Sequence, residues 1–390
     1  MDTGARRSRM EAAFTERYGG PATTWVRAPG RVDLMGSHTD YNEGHVLTMT
    51  VDRDTWLAAR PRADGRVAIA SLDLPGEAEF RLSSIEHDGR FPWTDYVRGA
   101  ASVLVAEGRQ LVGFDGLVHS TVPFGSGLSS SAAIEIAALL AFAVVGGFHL
   151  EPLEMALLGQ RAENEFVGVS CGILDQYTSV LGQAGHALLL DCRHLASRPV
   201  ALAPEVAVVI CDTRAERNLA ATGYGERRAQ CEAGVAHLRA IDLGIAALRD
   251  VSPALLAAHE NDMPPHVARR CRFIVEEEQR VLDLAEALPL GDPATLANFL
   301  DASYDGATRL FEIGAPAMTA MHEAMARAPG LIAGRQAGAG FGGCLVAFVE
   351  RDAVAAFSAH VEQAYARTTG IESQVFAVEA APGAGLVPMA

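Results

Sequence analysis

Positive charge is scarce in this 390-residue chain: 32 Lys and Arg stand against 48 Asp and Glu, a formal net charge of −16. Duplex binding is driven by cationic side chains that displace condensed counterions, so the balance argues against a nucleic-acid partner. It does not argue against phosphate recognition, which backbone N–H groups and one or two placed cations achieve locally. Cysteine is sparse, and Cys171, Cys192, Cys211, Cys231, Cys271 and Cys344 stand singly with no CxxC pair or zinc-type spacing. Reduced, mostly buried thiols are expected rather than a disulfide framework. Long apolar runs are missing too: the best candidate, 136–148, is too short to span a bilayer and ends in Gly146-Gly147. The first twenty residues carry no apolar segment of the secretory kind. The expectation is a cytoplasmic chain without a membrane partner. There is no internal repeat or low-complexity tract, and nothing fixes the oligomeric state.

What is present is enough apolar material for two cores. Hydrophobic residues make up 49% and charged residues 21% of a chain too long for one ordinary domain. An amphipathic helix over 8–18 ends at Gly19-Gly20-Pro21, and short β-like runs follow at 46–51, 55–59 and 66–70. Helices are expected at 96–107, 130–145 and 152–166, and strands at 116–121, 186–191 and 206–211. Beyond Arg198-Pro199 the pattern gives helices at 224–243, 265–288, 293–304, 316–328 and 353–368, with strands at 344–349 and 374–378. Strands mixed with helices without strict βαβ alternation indicate an α+β class in both halves. The boundary is drawn between 1–197 and 198–390.

Three glycine-rich segments carry the chemistry. In 123–133, Gly125, Ser126, Gly127, Leu128, Ser129, Ser130 and Ser131 lead into an Ala-rich helix. Glycines admit a close ligand, and the helix start offers free N–H donors at a positive dipole end. That makes a phosphate cradle, although the segment is neither a Walker A loop nor GxGxxG. Residues 28–44 crowd Arg31, Asp33, Ser37, His38, Asp40 and Glu43 among glycines, a pattern suited to hydrogen-bonding a polyol from a loop. The third segment, 338–343, is by itself only a turn signal. Between them Asp175 sits in an otherwise apolar stretch, 171–176, where a helix cap and a base are equally compatible with the local residues.

In this order the segments resemble the GHMP kinase superfamily, and within it the galactokinases. Gly30-Arg31-Val32-Asp33-Leu34-Met35-Gly36 followed by His38-Thr39-Asp40-Tyr41-Asn42 is similar to the sugar signature; 123–133 is similar to the ATP-phosphate loop and 335–344 to the last glycine motif. The resemblance implies the GHMP two-domain fold, with an N-terminal domain like ribosomal protein S5 domain 2 and a ferredoxin-like C-terminal domain. It also implies ATP-dependent phosphorylation of the anomeric hydroxyl of an aldose, galactose first. By that resemblance Asp175 is the catalytic carboxylate and Arg31 the cation beside the transferred phosphoryl. Ser131 and Glu163 fall at Mg²⁺ ligands. Ser37, His38, Asp40, Gly172 and Tyr224 fall at sugar contacts, and Trp93 and Tyr96 near the adenine.

One departure bears on substrate. Galactokinases carry Glu where this chain has Ser37, at a position resembling a ligand of the sugar's outer hydroxymethyl group. L-Arabinose, which lacks that carbon, and galacturonate, which carries a carboxylate there, are therefore alternative substrates. A binding-only sugar and ATP sensor is the alternative of another class, opposed by the intact Ser130-Ser131-Ala132-Ala133, Arg31 and Asp175.

Overall fold

The computed structural model describes residues 3–169, 171–215 and 220–387. The elements in chain order are α1 (Thr3–Tyr18), β1 (Thr24–Met35), β2 (His45–Arg62), β3 (Arg66–Ser71), β4 (Glu77–Arg81), α2 (Asp95–Ala106), β5 (Gly113–Ser120), α3 (Ser130–Gly146), α4 (Pro152–Arg161), α5 (Leu174–Leu181), β6 (His186–Asp191), β7 (Ala196–Ala201) and β8 (Val206–Asp212). They continue with α6 (Ala220–Arg239), α7 (Pro253–His259), α8 (Pro265–Ala287), α9 (Pro293–Arg309), α10 (Pro316–Met325), β9 (Leu331–Gln336), β10 (Cys344–Glu350), α11 (Val354–Thr369), β11 (Gln374–Val378) and β12 (Gly385–Leu386). No helix among the described residues is long and apolar enough to cross a membrane.

Two sheets organise the chain. The first runs β12-β1-β2-β5-β3-β4, with β6 and β7 joining along the start of β2; the second is β11-β8-β10-β9. Strand β2 is 18 residues long because it serves two neighbours on one edge: 45–48 pair with β6 and 55–62 with β5. The short runs read from sequence at 46–51 and 55–59 are thus one strand. The expected boundary at 198 lies inside β7, which pairs with β6, so the passage between sheets falls at 202–205. The chain also returns: β12 pairs with Val26 and Arg27 of β1, so the last described residues sit on the first sheet.

The two sheets share one apolar core. Val32, Leu34, Met49 and Leu189 pack in the same cluster as Val208, Ile210, Val346 and Phe348, with Leu284 and Leu296 from α8 and α9. A second cluster joins the first sheet to α2 and α3 through Val97, Leu104, Phe114, Ile136 and Leu139. Helix α3 is nearly all apolar, rich in the best helix former, and closes on Gly147 in the left-handed region, φ 70°. Helix α4 starts with Pro152 inside a Glu151/Glu154 capping box. The single helix expected over 152–166 instead ends at Arg161 and gives way to a π-helical turn, Ala162–Val167. The extra residue in that turn accompanies the close packing of Ala162 and Phe166 on Gly99 of α2, and it leaves Glu163 facing inward at 5% exposure.

Candidate functional site

The signature 30–36 is not a loop, as its polar residues suggested, but the buried end of β1. The ladder to β2 slips between Pro29 and Arg31 and again between Asp33 and Met35. Proline has no N–H to give the ladder, and a bulge there re-aims the next side chain. Arg31 is turned towards the phosphate loop: its backbone N–H donates to Leu128 O at 3.0 Å and its Nη1 to Gly127 O at 2.6 Å. Glycine at 30 is required by this approach, since a Cβ would stand 2.6 Å from Leu128 O.

Arg31 then reaches Asp175 in the first turn of α5, donating to Oδ1 from Nε at 2.8 Å and from Nη2 at 2.5 Å. The Ser129 hydroxyl donates to the other oxygen, Oδ2. Ser129 holds that place with φ 57°, unusual for a residue with a Cβ and a mark of a conformation fixed by its surroundings. Burial works against the charge on Arg31, but Asp175 more than compensates, and the guanidinium is held above its ordinary pKa. Arg31, Gly125, Gly127, Ser129, Ser130, Ser131 and Asp175 line one cavity, closed opposite by 337–340 of the third glycine segment. An adjoining cavity shares Ser130 and Ser131 and is lined by Trp93, Tyr96, Phe124 and Ser71 among others.

Behind Ser131 lies an acidic floor. The Ser131 hydroxyl favours the ionised form of Glu163, and the Gln176 amide nitrogen donates to Glu163 Oε2 at 2.7 Å and to Glu135 Oε2 at 3.0 Å. Both carboxyls titrate above the ordinary range, through burial first; Asp175 adds to the rise at Glu163, and Glu163 to that at Glu135. Glu135 Oε1 has no partner among the described residues. A hydroxyl and buried carboxylates short of compensating charge are the donor set a hard divalent cation satisfies.

On the far side of Asp175, His38 and Tyr224 pack ring to ring at 5.3 Å, and Tyr41 closes the group at 5.5 Å from Tyr224. His38 is spoken for at both nitrogens, by Tyr41 Oη at 2.9 Å and Ala339 O at 3.0 Å. Burial lowers its pKa to about 4, so the ring is neutral at pH 7. Asp40 is pushed up to about 6 by burial, against the Tyr41 backbone N–H and with help from the Asp175 charge. It lies against Gly172, where a Cβ would come within 2.0 Å of Asp40 Oδ2.

Of the expected site residues, His38, Asp40, Glu163, Gly172 and Tyr224 are not among the residues lining these two cavities, and neither are Ser126, Leu128 and Ser37, which are engaged elsewhere. Ser126 bonds within its own loop, donating to Pro123 O at 2.9 Å, and the Leu128 side chain is fully buried in the shared core. Ser37, 3% exposed, donates to Asp33 Oδ2 at 2.9 Å and accepts from Arg335 Nη2 at 2.9 Å. The backbone turn at Gly36, φ 108°, sends it into a cluster with Arg335 and Glu277 that joins the two halves beneath the cleft. Sequence reasoning missed Glu135, Gln176, Ser71 and Asp73. Glu135 was visible as the one charge inside an apolar helix; Asp73, in a turn, carried no signal.

Three family models match the chain: the galactokinase galactose-binding signature over 12–61, the GHMP kinases N terminal domain over 95–183 and the GHMP kinases C terminal over 284–367. The galactokinase of Roseiflexus sp. (strain RS-1) is 43% identical over 387 residues, 99% of this chain and 98% of that one. This chain belongs to the galactokinase family. The galactokinase of Chloroflexus aurantiacus is 42% identical over 380 residues, 97% of each chain. The crystal structure of Lactococcus lactis galactokinase complexed with galactose superposes with a TM-score of 0.92 at 29% identity, covering 98% of this chain and 100% of that one. Methanococcus jannaschii mevalonate kinase, at TM-score 0.65 and 17% identity, shares the fold. The two sheets are those of a GHMP kinase, and the galactokinase signature match runs from within α1 through the bulged β1 and nearly all of β2.

Proposed function

We propose that this chain transfers the terminal phosphoryl group of ATP to the anomeric hydroxyl of galactose, giving galactose 1-phosphate and ADP. The carrying observation is the Arg31–Asp175 pair opening on the cavity of the glycine-serine loop, with the His38–Asp40–Tyr224 group on its other side. The O1–P bond forms as the bond from phosphorus to the ADP oxygen breaks, and the O1 proton leaves.

Phosphoryl transfer asks a protein chiefly for alignment and charge neutralisation. Asp175 is held by three donors, two from Arg31 on Oδ1 and one from Ser129 on Oδ2, so its orientation is set before substrate arrives. Oδ2 keeps a lone pair to accept the O1 proton or to steer the hydroxyl. Arg31 faces both that carboxylate and the loop, where it offsets charge on the equatorial phosphoryl oxygens. The loop N–H groups and the start of α3 receive the phosphates. Ser131 and Glu163 would hold Mg²⁺, which supplies charge neutralisation along the triphosphate when bound. Asp40 accepts from sugar hydroxyls, while neutral His38 and Tyr224 form an apolar wall. Ser37 belongs to the buried cluster, so position 37 does not favour L-arabinose or galacturonate over galactose. We place the division between the two halves of the chain at 202–205.

The test is ADP release with galactose and ATP in the wild type and in Asp175→Asn. The expected result is a fall in kcat of at least about 100-fold while nucleotide binding by calorimetry persists. A near-normal rate in the variant removes Asp175 from this role.

A further inference from the structure

Asp175 has a neighbour that the mechanism above leaves idle. Consecutive residues of a helix point about 100° apart. The first turn of α5 therefore aims Asp175 at Arg31 and Ser129 and sends Gln176 into the interior, where it is fully buried. We propose that Gln176 is a positioning residue: its amide, braced by Glu135, decides which oxygen of Glu163 is left for the divalent cation and ties that carboxylate to the helix carrying Asp175. This rests on the kinase reading and adds what keeps the metal side of the site in register with the base.

An amide nitrogen carries two hydrogens and accepts nothing. Gln176 spends both on carboxylates, at 2.7 Å to Glu163 Oε2 and 3.0 Å to Glu135 Oε2. That fixes the amide's orientation, since the flipped form would set its carbonyl against two carboxylates. Gln176 Oε1 meanwhile has no partner among the described residues. A buried carbonyl left bare is rare in proteins and marks a side chain held for its donors. Glu163 Oε2 takes a further donor, the Cys171 thiol at 3.2 Å, so the oxygen these two leave to a cation is Oε1.

Three elements meet on this amide. Glu135 lies one helical turn after Ser131 on α3, which puts the two on one face; Glu163 comes from the π-helical turn and Gln176 from α5. Helix α4 makes the room, for a Cβ at Gly159 would stand 2.9 Å from Gln176 Cγ. Glu135 is itself fully buried, and its Oε1 has no partner among the described residues, so its engagement here is through Oε2, with Gln176. Carboxylates that ligate metals are themselves held by hydrogen bonds, and loss of such a partner costs about 10–100-fold in metal affinity or activity.

The experiment measures Mn²⁺ binding to the ADP-saturated protein by electron paramagnetic resonance. Beside it run kcat and the galactose KM with ATP and Mg²⁺, and the melting temperature without metal. Gln176→Met keeps the length and removes the donors, so Mn²⁺ affinity and kcat should each fall at least about tenfold with the galactose KM unchanged. A role in packing alone would lower the melting temperature and leave Mn²⁺ affinity intact. Glu135→Leu, which removes the brace, should also weaken Mn²⁺ binding. Glu135→Gln, whose side-chain carbonyl still accepts from Gln176, should recover at least about threefold of that loss. A folded Gln176→Met with wild-type Mn²⁺ affinity overturns the proposal. So, if that variant does not fold, does a Glu135→Leu that binds Mn²⁺ normally or a Glu135→Gln no better than Glu135→Leu. A wild type that binds Mn²⁺ with ADP but phosphorylates no galactose overturns the kinase reading instead.

Discussion

Replacing Ser37 by Glu separates two views of the cleft. Relatives with Glu at this position invite the idea that the side chain meets the sugar; here the Ser37 hydroxyl is 3% exposed and tied to Asp33 and Arg335. Arg335 is fully buried, donating also to Leu34 O at 3.1 Å and to Glu277 Oε1 at 3.3 Å, while Arg280 Nε donates to Glu277 Oε2 at 2.9 Å. Two carboxylates therefore face two guanidiniums. A third carboxylate brings a charge that no further cation balances, and burial already drives the Asp33 pKa upward. Leaving a buried charge unpaired costs about 3–5 kcal/mol. Spread over the unfolding entropy of a chain this long, that lowers the apparent Tm by about 4–6 °C. The assay is calorimetry on both proteins, with kcat/KM for galactose, L-arabinose and galacturonate. The Tm should fall and the preference order should stand. A tenfold gain for galactose at unchanged Tm would refute the reasoning and put position 37 against the sugar.

Two further predictions concern Asp40. Gly172→Ala places a methyl within reach of Asp40 Oδ2 and should raise the galactose KM at least about tenfold, with the ATP KM unchanged; loss of ATP affinity instead would show that 172 serves the nucleotide. Asp40 accepts from sugar most strongly when ionised, and its pKa is about 6, so the galactose KM should climb as pH falls through that value while Asp40→Asn flattens the profile. The stability contribution has the opposite sense: with the folded pKa raised above the ordinary carboxylate value, stability from this group is full below about 4 and is lost as pH rises through about 6. Urea titrations at pH 4, 5 and 7 of wild type and variant check this.

Much of the fold is legible because helices here carry their own punctuation. Pro152, Pro265, Pro293 and Pro316 open four of them, and β6 and β11 fall on the expected residues. What was not legible depended on partners distant in sequence. Residues 30–36 look like a polar loop until β2 and Leu128 are beside them, which turns Arg31 into the cleft and Asp33 away from it. The break in the 152–166 helix falls where Ala162 and Phe166 pack on Gly99 of α2, a contact distant in sequence. In the site, Arg31, Asp175 and the loop were found as motifs and come together as a cavity, whereas Ser71 and Asp73 owe their place to a turn that no local pattern marks.

The pairing of β12 with β1 has a bearing on biogenesis. Met10, Phe14, Trp25 and Trp56 form one apolar cluster with Val387, whose N–H donates to Trp25 O at 3.0 Å. That cluster cannot be sealed until residue 387 has cleared the ribosome, although everything else in the first sheet emerges long before. Until then the Val26–Arg27 stretch of β1 is an uncovered edge able to recruit strands from neighbouring nascent chains, and residues 385–387 are what cover it.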